Sequence, residues 1–358
     1  MKALGVLDRY VFRSVLLGVG MVVLVLLSLG SLFLLIGQQD DIGVGRYTTL
    51  LALQFVALNL PQQGWELLPI SALIGALIGL GNLARGSELI VMRTSGLSVW
   101  RVARPVALSG LLLAFFGALI GEVIAPPLVQ HARQQKAFAK FDDVSVAGSG
   151  DAWVRDGNLL VNVERQTGES QFGGMMVYEL ADDGRLRAMG RAVSAKSGGA
   201  GPWSLEQYTE TRFDNEQISS SRTARRTLHS NVTAEFLGIA ASSPSQLPTR
   251  ALRSMVVHLE ANSLDSRESR FAFWSRIART IAPVFAVLLA LPFVFGSLRA
   301  SGAGTRVALG LILGIGFFMI QRMLESGAVV FEGNPALFAW LPTALMGAAA
   351  LWLIYRTR

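Results

Sequence analysis

The sequence predicts an α-helical membrane protein with six transmembrane helices and an inserted, outer-side all-β domain of jelly-roll-like type between the third and fourth. Three observations predict it. Of 358 residues, 51% are hydrophobic and only 16% are charged, which is the composition of an integral membrane protein rather than of a water-soluble enzyme. Apolar runs of membrane-spanning length fill both ends of the chain, whereas residues 131–270 are polar. Lysine and arginine collect in alternate connections, as the basic bias of cytoplasmic loops requires.

Taken in order, the basic start (Lys2, Arg9, Arg13) lies at the inner interface, with Tyr10 and Phe12 at headgroup level. Residues 15–36 carry no charge. The run is long for a signal-peptide core and has no clear small-residue cleavage site, so it is read as a retained first span. Residues 38–46, with Asp40 and Asp41 against one arginine, form an outer loop. Residues 50–60 are apolar but too short to cross; Pro61 ends them, and they are expected at the outer interface. The second span is 67–83, with Gly75, Gly79 and Gly81 as small packing positions. The third is 102–124, with Arg104 snorkelling inward and Glu122 near the outer end. After residues 262–270, spans at 271–298, 307–321 and 334–355 complete the set. The basic link 299–306 and the basic tail keep both termini inside.

The composition changes at Pro126-Pro127. Residues 159–164, 175–180, 186–195, 203–213 and 217–228 each show partial alternation and are separated by Gly, Asp and Asn, which predicts short antiparallel strands. Strands without intervening helices argue for a sandwich or jelly roll. The domains are therefore an N-terminal membrane half, 1–130, a β-domain with helical connectors, 131–270, and a C-terminal membrane half, 271–358.

Between the second and third spans lies a basic segment with Arg85, Arg93, Arg101 and Arg104. Within it, residues 86–97 have the marks of a short helix: Ser87 as N-cap, Glu88 in the first turn, Arg93 near the end and Gly96 as a left-handed C-cap. Leu89 and Met92 fall on one face. Such a helix, held at the cytoplasmic side by two spans, suits docking to a soluble partner; an ordinary basic loop is the plainer reading.

The chain carries no visible motor. It has no cysteine and no Gly-Lys pair, so thiolate chemistry and a phosphate-binding P-loop are excluded. The histidines (His131, His229, His258) lack metal-ligand spacing, and Ser194, His229 and Asp214 have no nucleophile-elbow context. The net charge of +7 follows topology rather than a nucleic-acid stripe. The spans read as almost free of ionisable residues, which disfavours an ion-driven lipid transporter. A membrane anchor or receptor presenting the β-domain needs neither six spans nor an inserted helix. The permease half of an ATP-driven machine needs both.

The chain also resembles the LptF/LptG family of lipopolysaccharide-export permeases, and its G-type members most. The resemblance rests on Gly5-Val6-Leu7-Asp8-Arg9-Tyr10, on Leu77-Ile78-Gly79-Leu80-Gly81 and Ser87-Glu88-Leu89-Ile90-Val91-Met92 with Ser95-Gly96, and on Gly121-Glu122 with Ala125-Pro126. It continues through Phe273-Trp274-Ser275-Arg276, Phe295-Gly296-Ser297-Leu298-Arg299 and Leu351-Trp352-Leu353, so it spans the chain. It implies a bacterial inner-membrane subunit paired with an LptF-type permease on two copies of an LptB-type ATPase. That partner binds the ATP; this chain has no cofactor or metal. LptC-type and LptA-type bridge proteins would receive the lipopolysaccharide in the periplasm. The implied coupling residues are Ser87, Glu88, Leu89, Met92, Arg93 and Gly96, with Glu88 facing a basic residue of the ATPase. Leu26, Phe33, Phe317 and Ile320 would wall an acyl-chain cavity, and Arg46, Arg133 and Lys136 would meet lipid phosphates. One departure stands out. Where G subunits carry lysines at the outer end of the first helix, this chain has Leu34, Gln38, Gln39, Asp40 and Asp41.

Overall fold

A computed structural model describes residues 5–140, 152–168, 171–181, 184–197, 202–214, 217–228, 244, 247–295, 303–327 and 333–356. It divides into two compact units: Met1–Gly37, Val56–Val129 and Arg270–Arg358 form one, Gln38–Phe55 and Gln130–Ser269 the other.

The helices of the first unit begin with α1 (Val6–Ile36), α2 (Thr49–Arg85), the short α3 (Glu88–Thr94) and α4 (Val99–Leu119). A π-helical turn (Ile120–Ile124) joins α4 to α5 (Ala125–Lys140). After the strands come α6 (Thr249–Ala261), α7 (Arg267–Phe295), α8 (Ala303–Gly327) and α9 (Pro335–Arg356). Among the described residues six helical stretches are long and apolar enough to cross a membrane: α1, α2, α4 continued through α5, α7, α8 and α9. The central pair is α2 and α7, whose Leu77, Leu80, Val287 and Leu291 are fully buried in a shared core with Val15 of α1 and Val106 of α4. Small residues set the α1–α2 contact. A Cβ on Gly75 would lie 2.3 Å from Val19 Cα, and one on Gly79 would lie 2.4 Å from the Ser14 carbonyl oxygen. Backbones pack directly there, as at small-xxx-small seams in membranes.

One expected break is absent. Residues 50–60 are not a separate interfacial segment, because α2 runs unbroken through Pro61 and Pro69. Each proline forfeits one backbone hydrogen bond, whereas breaking the helix in an apolar medium exposes several groups at a cost of several kcal/mol each. The helix of the third span, expected over 102–124, runs on through Pro126-Pro127, carried by the π turn to Lys140.

The second unit contains six strands where five were expected: β1 (Ala152–Asp156), β2 (Leu159–Gly168), β3 (Gln171–Leu180), β4 (Leu186–Ser197), β5 (Trp203–Asp214) and β6 (Gln217–Leu228). The extra strand, β1, is tied to β2 by a two-residue turn with Gly157 at φ 60°. The described strands form one antiparallel sheet in chain order, a meander, rather than two packed sheets with the crossovers of a jelly roll. The sheet supplies its own second layer by creasing. Pairing is interrupted at Gly174, Val193 and Gln207, and Gly174 and Gln207 have positive φ. The buried face changes across that line: Phe172, Ala195 and Leu205 on one side, Met175, Ala192 and Tyr208 on the other, all in one core with Trp203. Helical connectors were expected within 131–270, and α6 is one of them. Its Leu252, Val256 and Leu259 keep helical spacing, and Leu252 is buried.

Candidate functional site

The α2–α4 connection holds the expected short helix. α3 covers Glu88–Thr94, and its end closes as the sequence demands: Gly96 sits at φ 86° and the Leu97 N–H reaches the Met92 carbonyl at 3.2 Å, a Schellman bond. Its start differs. Ser87 takes a left-handed backbone, φ 57°, instead of the extended form of a side-chain N-cap. Leu89 and Met92 are 2% and 7% exposed and join the membrane-unit core, so they anchor the helix. The outward surface is left to Ser87, Val91, Ser95 and Gly96, with Glu88 half-buried at the edge. The Tyr10 hydroxyl donates to Glu88 Oε1 at 3.2 Å and Arg101 pairs with Asp8 at 3.5 Å, which ties α3 and α4 to the first turns of α1. The side chain of Arg93 lies outside the described residues.

The apolar candidates sit on two sparsely covered helices. On α1, Phe33 is exposed while Leu26 packs against Val22 and Ile70. On α8, Ile320 is exposed and Phe317 is half-buried. Large apolar side chains run along the open flanks of both, including Met21, Leu24 and Leu29 on α1, and Ile312, Met319 and Met323 on α8.

The polar candidates belong to the second unit. Lys136 does not stand alone: its Nζ is 2.6 Å from Asp41 Oδ2 and 2.6 Å from Gln38 Oε1, and it lies over the rings of Tyr47 and Phe55. The Tyr47 hydroxyl donates to the same Gln38 oxygen at 3.3 Å. Burial, and then the Asp41 carboxylate, raise the Tyr47 pKa above its ordinary value, which keeps the hydroxyl a neutral donor. Arg46 donates its backbone N–H to the Ala139 carbonyl at 2.6 Å, and the side chain of Arg133 is exposed on α5. The acid that replaces the expected lysines is thus compensated within the chain.

Sequence reasoning missed a buried polar cluster in the membrane unit. The spans are not free of ionisable groups: Arg276 on α7 is only 3% exposed. Its Nε lies 2.5 Å from Glu122 Oε1 in the π turn, its Nη2 donates to the Gly121 carbonyl, and its guanidinium lies 4.5 Å from the centre of the Trp65 ring. Arg279, one turn on, lies 5.2 Å from the same ring. Gly121 has no room for a side chain, since a Cβ would sit 2.7 Å from Trp65 Nε1. The signal was present in Gly121-Glu122 and Phe273-Trp274-Ser275-Arg276, which the fold brings together. Among the described residues no group of His, Asp and Glu is arranged to hold a metal.

Comparison with known proteins agrees with this architecture. The family model "Lipopolysaccharide export system permease LptF/LptG" matches residues 9–356. The chain is 32% identical over 358 residues to the lipopolysaccharide export system permease protein LptG of Escherichia coli K12, covering 99% of both chains. It is 30% identical over 354 residues to LptG of Haemophilus influenzae, covering 98% of this chain and 99% of that one. To LptF of Escherichia coli K12 it is 22% identical over 369 residues, covering 97% and 94%. A multi-pass membrane protein matched over nearly its whole length, the chain belongs to the LptF/LptG family of lipopolysaccharide export permeases.

Proposed function

We propose that this chain is the G-type half of an ATP-driven lipopolysaccharide exporter in the bacterial inner membrane, with both termini cytoplasmic and the β-domain periplasmic. In this reading it pairs with an LptF-type subunit and sits on two LptB-type ATPases. The pair takes lipopolysaccharide from the outer leaflet and passes it to LptC-type and LptA-type bridge proteins. Hydrolysis belongs to the ATPase; this chain is not an enzyme.

The observation that carries the reading is α3. A seven-residue helix is too short to be stable alone. This one is pinned by Leu89 and Met92 and capped at Gly96, so a push on its outward face passes to α1 and α4 rather than melting the helix. Glu88, at the edge, is placed to meet a basic group of the ATPase. The open flanks of α1 and α8 supply the second element: apolar surface for a second permease chain and for acyl chains. At the end of α1, a lipid phosphate would compete with Asp41 for Lys136, while Arg46 and Arg133 offer further positive charge.

The test is gentle extraction of the tagged chain from its native membrane, followed by mass spectrometry of bound protein and lipid. A second six-span subunit, a small ATPase and lipopolysaccharide are expected together. A homogeneous single chain carrying neither protein nor lipid would contradict the proposal.

A further inference from the structure

The π turn in the third span has a physical cause. Pro126 and Pro127 lack backbone N–H groups, and each ring crowds the carbonyl four residues back. In an α-helical register the carbonyls of Glu122 and Val123 would lack donors. In the π register observed, the Ala125 N–H goes to the Ile120 carbonyl and α-helical bonding resumes only at Ala125, so the Gly121 carbonyl joins those of Glu122 and Val123 in lacking a backbone donor. The π register therefore leaves one more carbonyl, that of Gly121, to be satisfied from outside the helix. Arg276 then decides the matter. Its Nη2 takes the Gly121 carbonyl, its Nε takes the Glu122 carboxylate, and Trp65 packs against the bare Gly121. The third guanidinium nitrogen, Nη1, is buried with no hydrogen-bond partner among the described residues.

We propose that the third span has two hydrogen-bond registers and that Arg276 is the positioning residue that selects the π register. When Arg276 withdraws, the Ala125 N–H returns to the Gly121 carbonyl and the turn closes to an α-helix. Removing a one-residue bulge rotates the helix beyond it by about 100° and shifts it by about 1.5 Å. That helix is α5, which carries Arg133 and Lys136. The register change would re-aim both side chains without breaking the span. Its use in transport rests on the export reading above; the existence of two registers does not.

The test reads the register directly. The chain has no cysteine, so a single Ala132→Cys substitution reports cleanly. Ala132 is 1% exposed now; in the α register it takes the outward direction held by Arg133. In the assembled complex without nucleotide, a membrane-impermeant maleimide should label the Ala132→Cys chain slowly. Arg276→Gln should speed labelling at least about tenfold, as loss of a charge-assisted hydrogen bond to Gly121 would give. Pro126→Ala, which restores a donor and relieves the clash, should act in the same direction and needs no change at Arg276. Labelling by both variants at the parent rate overturns the proposal; if Arg276→Gln does not assemble, an unchanged rate in Pro126→Ala overturns it alone. In the parent complex, ATP should raise the rate. A rate indifferent to ATP, with the variants still fast, overturns the role in transport. Since the variants are compared without nucleotide or transported lipid, failure of the registers and failure of the export reading are distinguishable.

Discussion

At the scale of single residues, Glu88 and Asp41 separate two kinds of acidic side chain. Glu88 is held by a single hydrogen bond from Tyr10 at the edge of a helix whose apolar face is already buried. Removing it should leave the fold intact. The expected outcome for Glu88→Ala is normal membrane insertion with loss of ATPase binding or of coupled transport, read by co-purification and by lipopolysaccharide release. Asp41 instead has a partner within the chain, Lys136, each 23% exposed at the side chain. Lys136→Ala removes the cation 2.6 Å from that acid and should cost about 1 kcal/mol, seen as a lower midpoint of thermal unfolding. Asp41→Asn removes the charge opposite Lys136 and leaves it on Gln38, so the amount of lipopolysaccharide retained per permease should rise; an unchanged amount would remove Lys136 from the headgroup contacts. The Gly96 cap was legible because only a left-handed residue ends a helix in that way. Arg276 was not, because a sequence shows a charge near the start of a span but not the orphaned Gly121 carbonyl across from it that makes its burial tolerable.

At the scale of elements, the spans were legible from uncharged length, but their ends were not. Pro61 read as a stop because proline ends helices in water, where a freed carbonyl finds a water molecule. In an apolar surround the helix continues and a neighbouring donor is found, as Arg276 shows for Gly121. Helical connectors were expected in 131–270, but the bounds of α6 were not legible because its apolar stripe, from Leu252 to Leu259, is interrupted by arginine and histidine. The α1–α2 seam gives a sharp prediction. With no space at Gly75, Gly75→Leu should destabilise the protein by about 3 kcal/mol or more, visible as loss of a monodisperse, folded species in detergent. The sheet gives a milder one. A hydrogen bond from Ser194, then the Lys196 charge, holds the Glu206 carboxyl below the usual carboxylate range. A lowered folded pKa stabilises above the unfolded value and is lost as pH falls through the folded one. The melting-temperature advantage of the parent over Glu206→Gln should therefore be present near neutral pH and vanish in strong acid.

At the scale of the whole molecule, the chain has many parts of a transporter, and its sequence has no Gly-Lys pair for a phosphate-binding P-loop. α3 is anchored and faces outward, α1 and α8 offer uncovered apolar flanks, and the third span carries a polar cluster at a π turn. The composition announced the membrane and the β-domain. It did not announce the creased meander, because alternation looks the same whether a second sheet or a fold in the same sheet covers the apolar face. The most direct measurement is release of lipopolysaccharide from proteoliposomes containing this chain, its six-span partner and the ATPase, with the bridge proteins as acceptor. Release that needs ATP, and that falls to background with Glu88→Ala in this chain, is expected. Release that proceeds equally well without ATP, or without this chain, would contradict its role as a coupled half of the permease.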